Sequence, residues 1–406
     1  MKKKLNIFFS NSISKHKWGG GEKWMVTAAK GLSKRGHNVY ISGKANSILL
    51  EKATRDNLKT VPLNIYADYN PFKILHTKKI LQKLNIDAIV LNLNKDIRVA
   101  GIAARWAKVP AIIARNGLQL FSDKWKYKMT IGLVDGIITN SKSIKEAYEG
   151  FPWMEPDKTV VIYNGISTNE FNINDIDINA LWSIPKKNNI FVAAGRLTSQ
   201  KGFDLLIKAA SKIDFKKYPF TILIAGKGKD RVYLSKLINE LKMGDRVRLI
   251  GFQNKLSQFL KSCDFVIMPS RQEGMPNVVM ESMALGKPVL AANVNGVPEL
   301  IQHEISGYIF EPYKIDAIKN AMNYVMKNKD SNTIKNWGLK AQDHVKKNFT
   351  IEIMLDNLES YFHEKINNSI EEWGASYSGR VLSWKDSNDY KTHHLWDRKP
   401  KNSKQF

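Results

Sequence analysis

Short apolar runs alternate along this chain with segments in which apolar residues recur at helical spacing. In the first part of the chain, the runs are LNIFFS, NVYISG, DAIVLNL, PAIIARN, GIITNS and TVVIYNG. A second series begins near residue 189 and comprises NIFVAAGRL, FTILIAGKG, RVRLIGF, DFVIMPS and PVLAANV. Strands that alternate with helices form parallel sheets covered by helices on both faces. The pattern therefore predicts an α/β protein with two doubly wound units.

Composition along the chain suggests where these units begin and end. Residues 1–170 form the predicted first domain and residues 189–350 the second. The segment between them, 171–188, is polar, rich in Asn and Asp, and interrupted by Pro185, as is typical of a linker. A helix is predicted at 351–371 and is expected to cross back to the first domain.

The last segment, 372–406, is a polar tail that carries three tryptophans, Trp373, Trp384 and Trp396. Disordered tails are usually poor in aromatic residues. Two alternatives stay open for this tail, namely docking onto the body or a partner, and a flexible extension.

The chain is strongly basic, with 63 Lys and Arg against 38 Asp and Glu and a formal charge of +25. Residues 1–150 hold 27 Lys and Arg against 10 Asp and Glu, a net charge of +17. Excess positive charge favours phosphorylated ligands, acidic lipid surfaces or nucleic acid as partners. An acidic partner is therefore predicted for the front of the chain.

Other sequence features indicate the compartment. The single cysteine, Cys263, lies in an apolar run and has no second cysteine with which to form an intrachain disulfide, which favours a reducing environment. The apolar run after the basic start MKKK is too short for an export signal, and no run reaches the roughly 18 apolar residues of a membrane span. We expect a cytoplasmic protein, with peripheral attachment to the inner membrane face as a further hypothesis.

The stretch EGMPNVVMES places two carboxylates, Glu273 and Glu281, eight residues apart around a predicted helix start. Pro276 suits the first helical turn, where its missing N–H costs nothing. The amides from Gly274 to Val278 would then form a helix N-terminus at the carboxyl end of a parallel strand, which favours phosphate binding. Carboxylates beside such a site would accept hydrogen bonds from hydroxyls. The pattern predicts a ligand with both phosphates and hydroxyls.

In each unit, the loop that follows the first strand also has residues suited to phosphate binding. The loop GRLTSQKG carries Arg196 and Lys201, whose fork and point charge suit neighbouring phosphates. The loop WGGGEKW carries Gly19, Gly20 and Gly21, where the absence of Cβ atoms lets a diphosphate approach the backbone. Neither loop is a P-loop, because no Gly-Lys-Ser/Thr ending follows.

These motifs, together with YNGI at 163–166 and GVPELIQHEISGYIF, resemble the large family of retaining glycosyltransferases called family 4, or glycosyl transferases group 1. The resemblance covers most of residues 5–350 and is densest in the second domain. It implies the GT-B fold, in which two Rossmann-like domains face each other across a cleft.

The resemblance also implies roles for particular residues. Arg196 and Lys201 would bind the donor diphosphate and Glu273 would contact the transferred sugar, which makes these three the expected catalytic set. Glu281 would hold the nucleotide ribose, and Phe252 would lie near the base. The expected donor-binding residues are Gly20, Gly21, Phe252, Gly274, Met275, Asn277, Val278 and Glu281. Such enzymes need no metal or other cofactor, and the sequence has no clustered metal ligands.

The sequence departs from the family pattern at one position. Many relatives carry a histidine after the strand that begins at Pro110, whereas this chain has Asn116 there, with Arg115 beside it. An amide cannot act as a general base near neutral pH. Asn116 and Arg115 are therefore expected to contact the sugar or the acceptor by hydrogen bonding.

The predicted function is transfer of a sugar from a UDP-, GDP- or ADP-sugar to a glycan or lipid-linked acceptor, in the assembly of lipopolysaccharide, capsule or another surface glycan. One alternative is a sugar-nucleotide epimerase of the same fold. Another is a non-enzymatic basic protein that binds membranes or nucleic acid, although no nucleic-acid motif appears and nucleic acid is not an expected partner. The segment KWKYKM at 124–129 has two interpretations, a membrane or acceptor contact and a solvated helix face.

Overall fold

The computed structural model describes residues 3–117, 124–167 and 173–385. Within these ranges the chain folds into two α/β domains that face each other across a cleft, as predicted. The hypotheses on Trp373, Trp384 and Trp396 concern side chains outside the described part of the chain, and residues 386–406 lie wholly outside it.

The first domain contains a sheet whose neighbouring strands are all parallel. Its strands are β1 (Asn6–Asn11), β2 (Asn38–Gly43), β3 (Lys59–Pro62), β4 (Ala88–Leu91), β5 (Ala111–Asn116), β6 (Gly136–Thr139) and β7 (Thr159–Val161). Their order across the sheet is β3-β2-β1-β4-β5-β6-β7. The helices are α1 (Gly20–Lys34), α2 (Ile48–Arg55), α3 (Pro71–Lys83), α4 (Asn94–Asp96), a π-helical turn (Ile97–Gly101), α5 (Ile102–Trp106), α6 (Trp125–Ile131) and α7 (Lys142–Glu149).

The second domain repeats this architecture with a parallel sheet in the order β10-β9-β8-β11-β12-β13, formed by β8 (Asn189–Ala194), β9 (Phe220–Ala225), β10 (Val247–Gly251), β11 (Phe265–Met268), β12 (Val289–Ala292) and β13 (Tyr308–Phe310). Its helices are α8 (Ile178–Leu181), a 3-10 turn (Ser199–Lys201), α9 (Phe203–Ser211), α10 (Arg231–Glu240), α11 (Leu256–Ser262), α12 (Asn277–Ala284), α13 (Val297–Leu300), α14 (Ile315–Lys327) and α15 (Asn332–Asn348). The last helix is α16 (Ile351–Lys385).

The strands are apolar throughout because helices cover both faces of each sheet. In β1, Ile7 and Phe9 point into one core cluster while Phe8 points into another, as the twofold alternation of a strand requires. Ile7 lies opposite Val39 of β2 and Ala88 of β4, so the centre of the sheet is fully enclosed. The carboxyl ends of the parallel strands consequently meet at one edge of each sheet.

Helix α16 packs against the first domain. Leu358 and Phe362 are fully buried in the same core cluster as Ile7. A Cβ at Gly31 of α1 would collide with Leu355, so the two helices touch closely. The helix runs to Lys385, beyond the boundary at 371 that the sequence analysis placed, because the polar composition of the tail does not prevent a helical backbone.

Part of the expected linker belongs to the second domain. Of the segment 171–188, the residues from 173 onward are described, and Ile178 and Ile184 are buried in the core of that domain. The backbone N–H of Ile176 donates to Ser262 Oγ at 2.8 Å. The polar composition of this segment concealed the few apolar residues that anchor it.

The docking of α16 generates a prediction for Phe362→Ala. This substitution is expected to lower the free energy of unfolding of the first domain by about 3–5 kcal/mol, because it removes a fully buried ring. Urea denaturation followed by tryptophan fluorescence measures the loss. Phe72→Ala is the matched control, since that ring is 81% exposed and its removal should cost less than about 0.5 kcal/mol. Equally small losses in both variants would contradict the packing of α16.

Candidate active site

A cavity of about 560 Å³ lies between the two domains, at the carboxyl ends of strands from both sheets. Open α/β sheets bind their ligands at this edge. Almost all of the residues predicted from the sequence line it, namely Gly20, Gly21, Arg115, Asn116, Arg196, Lys201, Glu273, Gly274, Met275, Asn277 and Val278. Residues more than 200 positions apart therefore share one cleft.

The predicted catalytic residues Lys201 and Glu273 are in direct contact in the second-domain wall of the cavity. Lys201 Nζ lies 2.5 Å from Glu273 Oε1, and the same oxygen accepts a hydrogen bond from Ser270 Oγ at 2.6 Å. Glu273 is only 7% exposed, and the positive charge of Lys201 balances the negative charge of its buried carboxylate. Gly202 follows Lys201 with φ of 66°, and a Cβ there would collide with the Pro269 carbonyl. Only glycine therefore allows the lysine loop to pack so closely on the end of β11.

Arg196, the other predicted cation, is exposed, and its Nη2 lies 3.4 Å from Gln200 Oε1. Arg271, which the sequence analysis did not single out, fixes the loop that carries Lys201. Its guanidinium donates to both carboxylate oxygens of Asp204, at 2.8 and 2.7 Å, and to the Ser199 carbonyl at 2.5 Å. Burial alone would raise the pKa of Asp204, but the hydrogen bonds and charge of Arg271 outweigh it and lower that pKa.

Gly274 lines the cavity, where its expected ligand contact stays a prediction, and it also allows a close contact between the domains. A Cβ at this position would collide with the carbonyl of Gly117 and lie 2.9 Å from the side-chain amide of Asn140, both in the first domain. The tight approach seen at Gly274 is thus between the domains. Directly after it, α12 begins at Asn277 with Pro276 as its N-cap, so its first amides face the cavity edge.

Arg115 is the buried cation of the first-domain wall. Its Nη2 donates to Asn164 Oδ1 at 3.1 Å, and its guanidinium lies 4.2 Å from the centroid of the Trp24 ring. Burial lowers the pKa of Arg115 to about 10, and the negative charge of Glu22 opposes this shift. The guanidinium therefore remains protonated at neutral pH.

Asn116 ends β5 at the cavity surface, beside the hydroxyl of Tyr148. Burial raises the pKa of Tyr148, and the hydrogen bond with Asn116 opposes this. The carboxamide of Asn116 therefore lines the cleft as a neutral hydrogen-bonding group. Its expected contact with sugar or acceptor stays a prediction.

Glu281 and Phe252 lie outside the main cavity. Glu281 lines a separate pocket of about 40 Å³, where its Oε1 is 2.7 Å from Lys23 Nζ of α1. Lys23 therefore forms an ion pair with the carboxylate that is expected to bind the nucleotide ribose. Phe252 is 60% exposed and lines neither pocket.

Contacts between the domains hold the cleft closed, and sequence reasoning missed them. Glu299 of α13 accepts hydrogen bonds from the backbone N–H of Lys142, at 2.8 and 2.9 Å, and from Tyr163 Oη at 2.8 Å. Asn164 Nδ2 donates to Asn277 Oδ1 at 3.1 Å. Burial and the hydrogen bond to Glu299 both raise the pKa of Tyr163, which keeps its hydroxyl a donor.

Asp96 links helix α4 of the first domain to the loop that follows β1. Its carboxylate is fully buried and accepts hydrogen bonds from the backbone N–H of Ser12 at 3.1 Å. Burial raises the pKa of Asp96 from 3.8 to about 6, and the hydrogen bonds with Ser12 oppose this shift. Sequence alone gave no signal for this residue.

Two family models match the chain, Glycosyltransferase Family 4 over residues 18–170 and Glycosyl transferases group 1 over residues 176–344. Each match covers one of the two domains. The chain belongs to the family 4, group 1 glycosyltransferases.

Individual proteins resemble this glycosyltransferase over different lengths. An uncharacterized glycosyltransferase of Methanocaldococcus jannaschii is 37% identical over 45% of this chain and 48% of its own length, so the match spans about half of that relative. The UDP-Gal:alpha-D-GlcNAc-diphosphoundecaprenol alpha-1,3-galactosyltransferase of Escherichia coli is 26% identical over 71% of this chain and 78% of its own. The crystal structure of Anabaena HepE in complex with UDP and glucose has the same fold, with a TM-score of 0.78, 21% identity and coverage of 89% and 100% of the two chains.

The buried Asp96 predicts a pH dependence of this glycosyltransferase's stability. Because its pKa is higher in the folded state than the ordinary 3.8, ionising it opposes folding. The resulting decrease in the free energy of unfolding is absent below pH 3.8 and grows as the pH rises. It is complete above about pH 6, where it reaches about 3 kcal/mol.

Asp96→Asn removes this ionisation. We expect the free energy of unfolding of the variant, relative to the unsubstituted protein, to rise between pH 4 and pH 7. Urea denaturation at a series of pH values measures the difference. Asp56→Asn, on an exposed pair with Lys30, is the control. A difference between Asp96→Asn and the unsubstituted protein that stays constant with pH would contradict the assignment.

Proposed function

We propose that this glycosyltransferase moves a sugar, with retention of anomeric configuration, from a nucleoside-diphosphate sugar to a glycan or lipid-linked acceptor of cell-surface glycan assembly. The observation that carries the proposal is the gathering of Lys201, Arg196, Glu273 and the α12 N-terminus around one cavity between the domains. The UDP and glucose held by HepE and the diphosphoundecaprenol acceptor named for the E. coli relative support the donor and acceptor classes.

Cleavage of the bond between the anomeric carbon and the diphosphate puts negative charge on the leaving oxygen. Lys201 and Arg196 line the cavity and would stabilise that charge, and closure of the domains on the donor would exclude water. A diphosphate carries more negative charge than Glu273 and competes with it for Lys201. Once the lysine turns to the phosphate, Glu273 is available to accept a hydrogen bond from a hydroxyl of the donor sugar.

Retention follows from attack on the face that the diphosphate leaves. The acceptor oxygen forms the new bond to the anomeric carbon as the bond to the phosphate oxygen breaks, and that phosphate oxygen takes the acceptor's proton. This route needs no protein base, which suits a cleft with Asn116 at the position where relatives carry histidine. Lys201, Arg196 and the amides of the α12 N-terminus supply the positive charge that stabilises the leaving diphosphate. The proposal therefore includes sugar transfer that needs no metal ion.

The proposal predicts that Lys201→Ala and Arg196→Ala each lower the rate of donor turnover by roughly a hundredfold or more, because each removes a group that stabilises the leaving diphosphate. The assay measures nucleoside diphosphate released from a panel of UDP-, GDP- and ADP-sugars, with and without EDTA. Lys236→Ala, on an exposed lysine of α10, is the matched control and should retain full turnover.

The competing functions give different results in the same assay. Interconversion of intact sugar nucleotides would indicate an epimerase. No turnover, together with no thermal stabilisation by UDP, GDP or ADP, would indicate a non-enzymatic binding protein. Proton NMR of the product distinguishes retention from inversion, and an inverted product would contradict the mechanism.

An exposed aromatic and basic face on the first domain supports attachment to an anionic membrane. Phe72 and Leu75 of α3 and Trp125 and Met129 of α6 are all exposed. The two helices are neighbours, because Arg98 binds Asp68 before α3 at 3.0 Å and Thr130 of α6 at 3.4 Å. Exposed lysines lie in the same two helices or at the α6 N-cap, namely Lys79, Lys124, Lys126 and Lys128.

Exposed apolar side chains and lysines on the same helices suit the boundary between acidic headgroups and acyl chains. We therefore include peripheral attachment through this aromatic–basic face in the proposal, and favour the membrane interpretation of residues 124–129. Among the described residues, no helix combines the length and apolar character that crossing a bilayer requires.

Replacing Phe72 and Trp125 together by Glu should reduce binding to phosphatidylglycerol-containing vesicles by roughly tenfold or more, because it removes two apolar anchors and adds repulsive charge. Co-sedimentation measures the bound fraction. Val232→Glu with Tyr233→Glu, on the exposed face of α10, is the matched control. Binding should also weaken at high salt. Equal binding to phosphatidylcholine vesicles, or equal losses in both double variants, would count against this face.

A further inference from the structure

Asn164 is a buried carboxamide at the junction of the two domains, and the proposed transfer step gives it no role. It follows β7, is only 6% exposed and lines both the main cavity and the small pocket that Glu281 lines. Its Oδ1 accepts a hydrogen bond from Arg115 Nη2 at 3.1 Å. Its Nδ2 donates to Asn277 Oδ1 at 3.1 Å and to the Met275 carbonyl at 3.4 Å. One side chain therefore joins the buried cation of the first domain to the α12 N-terminus of the second.

The chemistry of the neighbours fixes the direction of these hydrogen bonds. Arginine has only donors, so the oxygen of the Asn164 carboxamide must face Arg115. The backbone carbonyl of Met275 can only accept, so the nitrogen of the same carboxamide must face α12. Asn277 offers its oxygen to that nitrogen, which turns its own Nδ2 away from Asn164. The chain of donors therefore runs from Arg115 through Asn164 to Asn277.

The nitrogen at the end of this chain faces the other side of the cleft. A Cβ at Gly20 would lie 3.8 Å from Asn277 Nδ2, so this amide is next to the glycine loop of the first domain. Gly20 and Asn277 are the first residues of α1 and α12, and both line the main cavity. Backbone N–H groups at helix N-termini favour an anion in front of them. A side-chain N–H at the same place adds one more donor for a phosphate oxygen.

The orientation of the Asn277 carboxamide depends on Asn164. A carboxamide that turns over exchanges a donor for an acceptor with almost no change of shape. With Oδ1 in the place of Nδ2, Asn277 would present partial negative charge to a phosphate. The donor of Asn164 disfavours that orientation. The positive charge of Arg115 reinforces the chain, because hydrogen bonds from a charged group are stronger and polarise the bonds that follow.

We propose that Asn164 is a positioning residue that holds the Asn277 carboxamide with its N–H toward the diphosphate of the donor. Arg115 fixes the orientation of Asn164 and so acts on the diphosphate without contacting it. This inference rests on the proposed function, because the donor diphosphate is the anion that the α12 N-terminus is proposed to bind. It adds a link through which the first domain controls one hydrogen-bond donor of the second.

Asn164→Asp tests the direction of the chain. Aspartate keeps the shape and the acceptor for Arg115 but has no donor, so Asn277 must turn its Nδ2 toward residue 164 and its Oδ1 toward the diphosphate. We expect the Kd of UDP, GDP or ADP, whichever the enzyme binds, to rise by about tenfold or more. Isothermal titration calorimetry measures the Kd. Asn239→Asp, on an exposed asparagine of α10, is the matched control and should leave the Kd unchanged.

Asn277→Ala distinguishes positioning from a structural role. This variant removes the amide that Asn164 orients, and it should itself raise the Kd by about tenfold. When Asn277→Ala is already present, Asn164→Asp has no amide to turn and should raise the Kd by less than about threefold more. Structural damage, or the added charge of aspartate, would instead give the same increase with and without Asn277→Ala.

The outcomes separate this inference from the proposed function. Absence of nucleotide binding and of donor hydrolysis would overturn both. An unchanged Kd in Asn164→Asp or in Asn277→Ala would overturn the positioning role alone, and so would an equal effect of Asn164→Asp in both backgrounds. If Asn164→Asp does not fold, Asn277→Ala still decides, because a raised Kd supports a donor from Asn277 to the diphosphate and an unchanged Kd contradicts it.

Discussion

The contact between Gly274 and the Gly117 carbonyl fixes how closely the two domains approach each other. Any side chain at 274 would collide with the first domain, so the α12 N-terminus can reach the cleft only because glycine stands there. Two hydrogen bonds hold the domains in the same arrangement. The α7 N-terminus donates to Glu299, and the side chain of Asn164 donates to Asn277. The cavity between the walls therefore owes its shape to backbone contacts, and its chemistry to the side chains that those contacts leave facing inward.

Two ion pairs involve side chains that are expected to bind the donor, one within the second domain and one between the two domains. Lys201 neutralises Glu273, and Lys23 neutralises Glu281. Both carboxylates are largely buried, so without these partners the closed cleft would enclose uncompensated charge. In the proposed function, the donor diphosphate competes with Glu273 for Lys201, so that donor binding exchanges one partner of the lysine for another.

The sequence analysis predicted both doubly wound domains and most of the cavity lining, because buried strands and helix starts leave local patterns. It missed the edge strands β3 and β13, which are short and only partly buried, so that apolar periodicity is weak. It also missed Glu22, Asp96, Arg271 and Glu299. Their partners are distant along the chain or are backbone groups, and no spacing rule reports a contact that only the folded chain creates. For Gly274 the sequence predicted a ligand contact, and it gave no signal for the contact with the other domain that the structure shows.

The distribution of positive charge separates two roles that the sequence could not distinguish. The net charge of +17 in residues 1–150 suggested an acidic partner for the first domain, yet the cation of that domain that lines the main cavity among the described residues, Arg115, is already bound to Asn164. The exposed lysines of α3 and α6 lie outside the cleft, beside Phe72 and Trp125. Charge on that outer face can attract an anionic surface without affecting what the cavity accepts. The excess positive charge of the first domain therefore does not indicate the charge of the ligand that the cavity accepts.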